Sequence, residues 1–165
     1  MLDSLVDEFG DRIYRFVCRL VGREWADDLC QETFLKALKS FSGFRGGRRD
    51  AWLFSIANRV CIDFLRRRGT ESEKLHEVAR DTAAPPDPIE HRIRDEDRAR
   101  ALQLVRDLPR EQQQVLLLHE EGRMTFLEIA EAIGSPLGTV LTRMRAALAK
   151  LKQNPLVKER AHDVP

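Results

Sequence analysis

The stretch Met124–Lys152, MTFLEIAEAIGSPLGTVLTRMRAALAKLK, constrains the fold of this chain more than any other. Two helical patterns flank a short break. In the first, Thr125 and Glu128 have the spacing of a capping box, in which each side chain satisfies a backbone N–H at the helix start. Ile129, Ala130 and Ile133 then share one helical face. Gly134 ends the helix, because glycine enters the left-handed conformation without a Cβ penalty. Ser135-Pro136 opens a second helix with a capping side chain and a preset φ. Its apolar stripe is Val140, Met144, Leu148 and Leu151. Two helices, a glycine turn and a small Ala130 where they approach make a helix-turn-helix pattern.

The second helix carries Arg143, Arg145, Lys150 and Lys152, with no acid between Gly138 and Lys152. A helix that enters a DNA groove sets its N-terminal residues near base edges and its basic residues on phosphates. An αα-hairpin with a solvated basic face would show the same pattern. DNA binding and plain solvation both stand at this point.

The net charge of +1 conceals a pattern. Residues 1–70 carry 13 Lys/Arg against 10 Asp/Glu, residues 71–98 carry 5 against 9, and residues 99–165 carry 10 against 8. Two mildly basic ends flank an acidic middle, and local patches rather than the total govern nucleic-acid affinity. Cys18, Cys30 and Cys61 are distant in sequence and lack the spacing of a disulfide framework or zinc site. Each falls in an apolar helical pattern, as a small buried hydrophobe would. The acidic, amphipathic start MLDSLVDEFGDR is unlike a signal peptide, and no apolar run has bilayer-spanning length. A cytoplasmic protein is expected.

Taken in order, Leu5, Val6, Phe9, Ile13, Phe16, Val17 and Leu20 form one helix face, with a bend expected near Gly10 and an end at Gly22. A second helix, 25–40, points Trp25, Leu29, Phe34, Ala37 and Leu38 inward. Its other face shows Asp27, Asp28, Gln31 and Glu32. These acids suit either a helix N-terminus or a polar docking face for another protein. Residues 40–50, SFSGFRGGRRD, form a loop in which Phe41 and Phe44 alternate with Arg45, Arg48 and Arg49. Rings interleaved with arginines offer stacking and charge to single-stranded nucleic acid. Anchoring of the loop to the core is the competing role, and the one favoured for Phe41.

A long helix, 51–68, follows, with Ser55, Asn58, Arg59 and Asp63 as its more polar positions. It closes on Arg66-Arg67-Arg68-Gly69, more positive charge than a helix end needs, which suggests phosphate contact. Residues 70–97 are acidic and proline-bearing and lack a sustained apolar stripe, so they should be a flexible linker with a short helix near 73–78. The helical pattern returns from Ile89, 97–107 leads to Leu108-Pro109, a new helix should start at Pro109, and Gly122 should end it. His119 has no catalytic partner nearby in sequence and should be structural. The tail, 154–165, should fray. No nucleophile–base pair, phosphate loop or metal cluster is visible, so no catalytic residue, cofactor, metal or small-molecule substrate is expected. The fold class is all-α: a first small helical domain over 1–69, a linker over 70–97, a second domain over 98–153, and the tail.

With those residues in place, the chain resembles the extracytoplasmic-function sigma factors of bacterial RNA polymerase, from about Leu5 to Lys152. Asp27-Asp28-Leu29-Cys30-Gln31-Glu32-Thr33-Phe34-Leu35-Lys36-Ala37 is similar to the family's core-binding segment. Phe44-Arg45-Gly46, Ala51-Trp52-Leu53-Phe54-Ser55-Ile56-Ala57 and Asp63-Phe64-Leu65-Arg66-Arg67-Arg68 resemble its minus-ten segment. Leu108-Pro109 and Gly138-Thr139-Val140 with Arg143 resemble its minus-thirty-five domain.

The resemblance implies a sigma-two and a sigma-four domain, and promoter-specific transcription initiation without catalysis. Asp28, Gln31 and Glu32 would dock on core polymerase. Phe44, Arg45, Arg48, Arg49, Asn58, Arg59, Arg66 and Arg67 would serve the minus-ten element, where a base is flipped out of the stack. Thr139, Thr142, Arg143, Arg145 and Lys150 would serve the minus-thirty-five element. Promoter DNA, core polymerase and an anti-sigma factor are the implied partners. Two departures bear on specificity. Asn58-Arg59 stands where many members have Arg-Asn, and Leu141 and Ala146 stand where many have basic residues. The second departure predicts a weak contribution from the second domain alone. A helix-turn-helix regulator acting without core polymerase, and a helical adaptor without a DNA role, are the alternatives.

Overall fold

A computed structural model describes residues 2–72 and 92–153 of the chain. The described residues form seven α-helices: α1 Leu2–Val21, α2 Arg23–Ser40, α3 Arg49–Ser72, α4 Arg92–Arg106, α5 Arg110–Glu120, α6 Phe126–Ile133 and α7 Leu137–Gln153. One 3-10 turn, Phe41–Gly43, follows α2. The short helix expected near 73–78 and the tail, 154–165, lie outside the described residues.

The first domain is built on α1. Leu5, Phe9, Ile13, Phe16, Val17 and Leu20 recur at helical spacing and are all buried. They face α2 and α3, which contribute Ala26, Leu29, Phe34, Leu53, Phe54 and Ala57. The rings of Phe16 and Phe54 meet edge to face at 5.5 Å, the arrangement that brings a positive ring edge onto a negative face. The helix α1 runs uninterrupted through Gly10. Leu38, expected inward, is 43% exposed, and Ala37 takes the core position beside it. Helical spacing leaves such a flank position open to either assignment, and only the placement of α3 decides it.

In the second domain α5 and α6 both pack on α7. Thr125 accepts a bond from the Glu128 N–H at 3.2 Å, and Glu128 accepts from the Thr125 N–H at 2.8 Å, closing the expected capping box. Gly134 adopts φ 66°, ψ 35°, and its N–H donates to the Ala130 carbonyl. The apolar face of α7 is Val140, Met144 and Ala147, all buried. Leu148, expected in that stripe, is 40% exposed, because the smaller Ala147 lies nearer the centre of the contact.

One helix end differs from expectation. The helix α3 passes Gly69 and ends at Ser72; one glycine costs about 1 kcal/mol in a helix, too little to stop it. The helix α4 begins at Arg92, close to Ile89, where the helical pattern returns in the sequence. Charged helix formers suffice there without an apolar stripe.

The two domains touch. The helices α1 and α3 of the first meet α5 and α6 of the second. A single cluster of buried residues runs through both.

Candidate polymerase and nucleic-acid interfaces

On the outer face of α2, Asp28 and Gln31 are exposed. Glu32 pairs with Lys36 one turn on, at 2.8 Å. Leu35, at 54% exposure, and Leu38 extend the same side of the helix. Sequence reading assigned only the polar members. The apolar pair adds the non-polar area that a protein contact needs at its centre.

The loop after α2 is held by an aromatic triad. Phe44 lies 5.1 Å from Trp52 and 5.9 Å from Phe41, and Phe41 meets Trp52 edge to face at 5.9 Å. The rings fasten the loop to the start of α3, while Arg45, Arg48 and Arg49 are exposed. Arg49 approaches Glu8 at 3.8 Å. Arg48 is the most engaged of the three: it pairs with Asp50 at 2.8 Å and Glu128 at 2.9 Å, and donates to the Arg123 carbonyl at 2.8 Å.

Along α3 the candidates separate. Arg59 and Arg67 are exposed. Arg66 pairs with Asp63 at 2.9 Å. Arg68 lies over the Trp25 ring, 4.5 Å from its centroid, a cation–π contact that removes part of the cluster from duty as a helix cap. Asn58 is only 3% exposed. Its Oδ1 accepts from Gln114 Nε2 of the second domain at 2.8 Å.

On α7, Thr142, Arg145 and Lys150 are exposed and Thr139 is partly so. The Thr142 hydroxyl donates to the Gly138 carbonyl at 2.8 Å, which fixes its rotamer. Arg143 pairs with Glu111 of α5 at 3.3 Å. His119 Nδ1 donates to the Met124 carbonyl at 2.9 Å, and its ring stacks on Phe126 at 4.8 Å. Its role is to brace the turn before α6.

Sequence reading missed the residues that join the domains. Glu121 is buried and pairs with Arg15 at 3.2 Å and with Arg19. Arg12 donates twice to the Glu121 carbonyl, at 2.7 and 2.9 Å. Gln113 donates to the Arg19 carbonyl at 2.8 Å. Burial and the nearby Arg123 charge push the Arg12 guanidinium below its usual value, against the pull of Asp50 and Glu121. Gly122 lies against α3, where an added Cβ would sit 3.2 Å from the Phe54 ring and 2.4 Å from the Leu118 carbonyl oxygen.

Cys61 is buried, and Cys18 and Cys30 partly so. Burial pushes the Cys30 thiol up to about 12, so it stays uncharged at neutral pH. Among the described residues no group of His, Cys, Asp and Glu could hold a metal ion, and no helix is long and apolar enough to cross a membrane.

Comparison with known proteins gives two family matches in chain order. Residues 5–71 match Sigma-70 region 2, and residues 98–151 match Sigma-70, region 4. The ECF RNA polymerase sigma factor SigE of Mycolicibacterium smegmatis is 32% identical over 91% of this chain, which spans 60% of that relative's length. The RNA polymerase sigma factor YlaC of Bacillus subtilis is 30% identical over 93% of this chain and 91% of its own. Among solved structures, the sigma factor RpoE from Bartonella quintana, crystallised with the anti-sigma factor NepR, shares the fold. The TM-score is 0.77 at 21% identity, over 94% of this chain and 96% of that one.

Proposed function

This chain belongs to the extracytoplasmic-function sigma factors of the sigma-70 family, and from that premise we propose how its surfaces divide the work of transcription initiation. It is a non-catalytic subunit that gives RNA polymerase its promoter. The outer face of α2, with Asp28, Gln31 and Glu32 around Leu35, docks on core polymerase. The Phe44 loop and α3 take the minus-ten element as a single strand. Phe44 offers a stacking surface, Arg45, Arg48 and Arg49 bind phosphates, and Asn58 and Arg59 read bases, with Arg66 and Arg67 on the flanking backbone. The exposed side of α7, Thr139, Thr142, Arg143, Arg145 and Lys150, enters the major groove of the minus-thirty-five element. The protein works in the cytoplasm, where polymerase and promoter are. An anti-sigma factor is its inhibitory partner, a reading supported by the similarity in fold to a sigma factor crystallised with one.

The observation that carries this reading is the pair of region matches in order, each coinciding with one helical domain. Run-off transcription on a promoter library, with purified core polymerase and this protein, tests it. Initiation at a shared motif is the expected result. Sequence-specific binding to duplex in the absence of core, with no initiation, would instead indicate a stand-alone regulator.

A further inference from the structure

The helix α7 carries an apolar row on its outer side. Leu137 is 41% exposed and Leu148 40%, and Leu141 is partly exposed between them. At 3.6 residues per turn the three fall within about 40° of one another. The row borders the buried Val140 and Met144 on one side and the exposed Arg145 and Lys152 on the other. Single exposed leucines are ordinary on a protein surface. Three on one line of a DNA-binding helix are not scattered.

The front of α7 is short of polar groups. Among residues 137–142 only Thr139 and Thr142 have polar side chains. The Thr142 hydroxyl gives its proton to the Gly138 carbonyl. Base edges at this end must therefore be told apart largely without side-chain hydrogen bonds. The major groove has one apolar feature that identifies a base, the C5-methyl of thymine.

We propose that Leu137 and Leu141 read thymine methyls in the minus-thirty-five element, an apolar contact in place of the phosphate contact that a basic residue at 141 would make. The inference rests on the reading of α7 as the groove-entering helix. The N-terminal residues of such a helix lie nearest the base edges. Leu137 and Leu141 stand in its first two turns, whereas Leu148 lies about 10 Å further along the axis than Leu141. Charge favours a duplex over a protein as the occupant. The helix has no Asp or Glu, and Arg145, Lys150 and Lys152 are exposed. A major groove offers the matching pair of surfaces, methyls on its floor and phosphates on its walls. A methyl contact releases no counterion, so this part of the affinity is insensitive to salt.

The test uses the full chain assembled with core polymerase. Selection from a promoter library by run-off transcription should give a minus-thirty-five element that carries thymine. Uracil in place of those thymines removes the methyl alone. The holoenzyme should bind the uracil duplex about fourfold more weakly for each methyl in contact, the worth of one buried carbon. Leu137→Ala with Leu141→Ala should bring the two duplexes close to equal. Leu148→Ala makes the same truncation at an exposed leucine of the same row and should keep the full ratio. Leu141→Arg should also lose the methyl preference, and should steepen the slope of log affinity against log salt by about one. Methyl reading is overturned by a selected element without thymine, by equal binding of the two duplexes to the unaltered holoenzyme, or by Leu148→Ala acting like the double variant. It is overturned too if the double variant keeps the full ratio but assembles poorly with core, which would make the row a protein contact. A chain that is no sigma factor selects no promoter, whereas a failed methyl contact leaves selection intact and the two duplexes alike.

Discussion

At the scale of single residues, two carboxylates hold the neighbourhood of Arg48. Glu128 closes the capping box of α6 and also pairs with Arg48 through the same oxygen. Thr125→Ala removes the reciprocal half of that box and should lower unfolding stability by about 1 kcal/mol, read from urea denaturation. Asp50 is the second carboxylate. Burial pushes its carboxyl up, but bonds from Arg48 and the Ala51 N–H, with the charges of Arg48 and Arg12, outweigh this and hold it below its ordinary 3.8. A depressed folded value means the contribution is complete above 3.8 and fades as pH falls through the lower folded value. Asp50→Asn should therefore be less stable than the unaltered chain at neutral pH. The difference should vanish on acidification below 3.8, in denaturation curves taken across that range.

Among the elements, α2 has one buried face and one exposed face. Ala26, Leu29, Phe34 and Ala37 are buried and hold it to its neighbours. Asp28, Gln31 and Leu35 lie outside and contribute little to that core. Asp28→Ala with Glu32→Ala should leave the unfolding midpoint almost unchanged, since exposed charges contribute only about 0–1 kcal/mol to stability. The same pair should weaken association with core polymerase by about tenfold or more, measured by competition binding, because a charge at a docking face loses its partner. The inner faces of α1 and α7 were legible as periodic apolar residues, and the α6 ends as Thr125, Glu128 and Gly134, because those signals are local. Val6, Leu38 and Leu148, expected inward, are exposed for one reason: each lies on the flank of an apolar stripe, where spacing alone does not say which neighbour fills the contact.

For the whole molecule, the buried cluster that crosses both domains couples their unfolding. Trp25 and Trp52 both belong to the first domain and are the chain's two tryptophans, so their fluorescence follows that domain alone, whereas circular dichroism follows all helices. The two signals should share one midpoint in the unaltered protein and separate in Glu121→Lys, where each domain melts by itself. Such coupling could not be read beforehand. Glu121 and its arginine partners are 102 and 106 residues apart, and Asn58 and Gln114 are 56 apart. What the amino-acid order determined by itself was whatever depends on neighbours within a few turns: the helices of the described residues, their caps, their apolar faces and the division into two helical halves. The tertiary structure alone decided which polar groups are spent on each other. Hydrogen bonds and ion pairs between distant segments leave no periodic trace, and an asparagine written as a base reader looks no different in sequence from one already satisfied by a glutamine on the other domain.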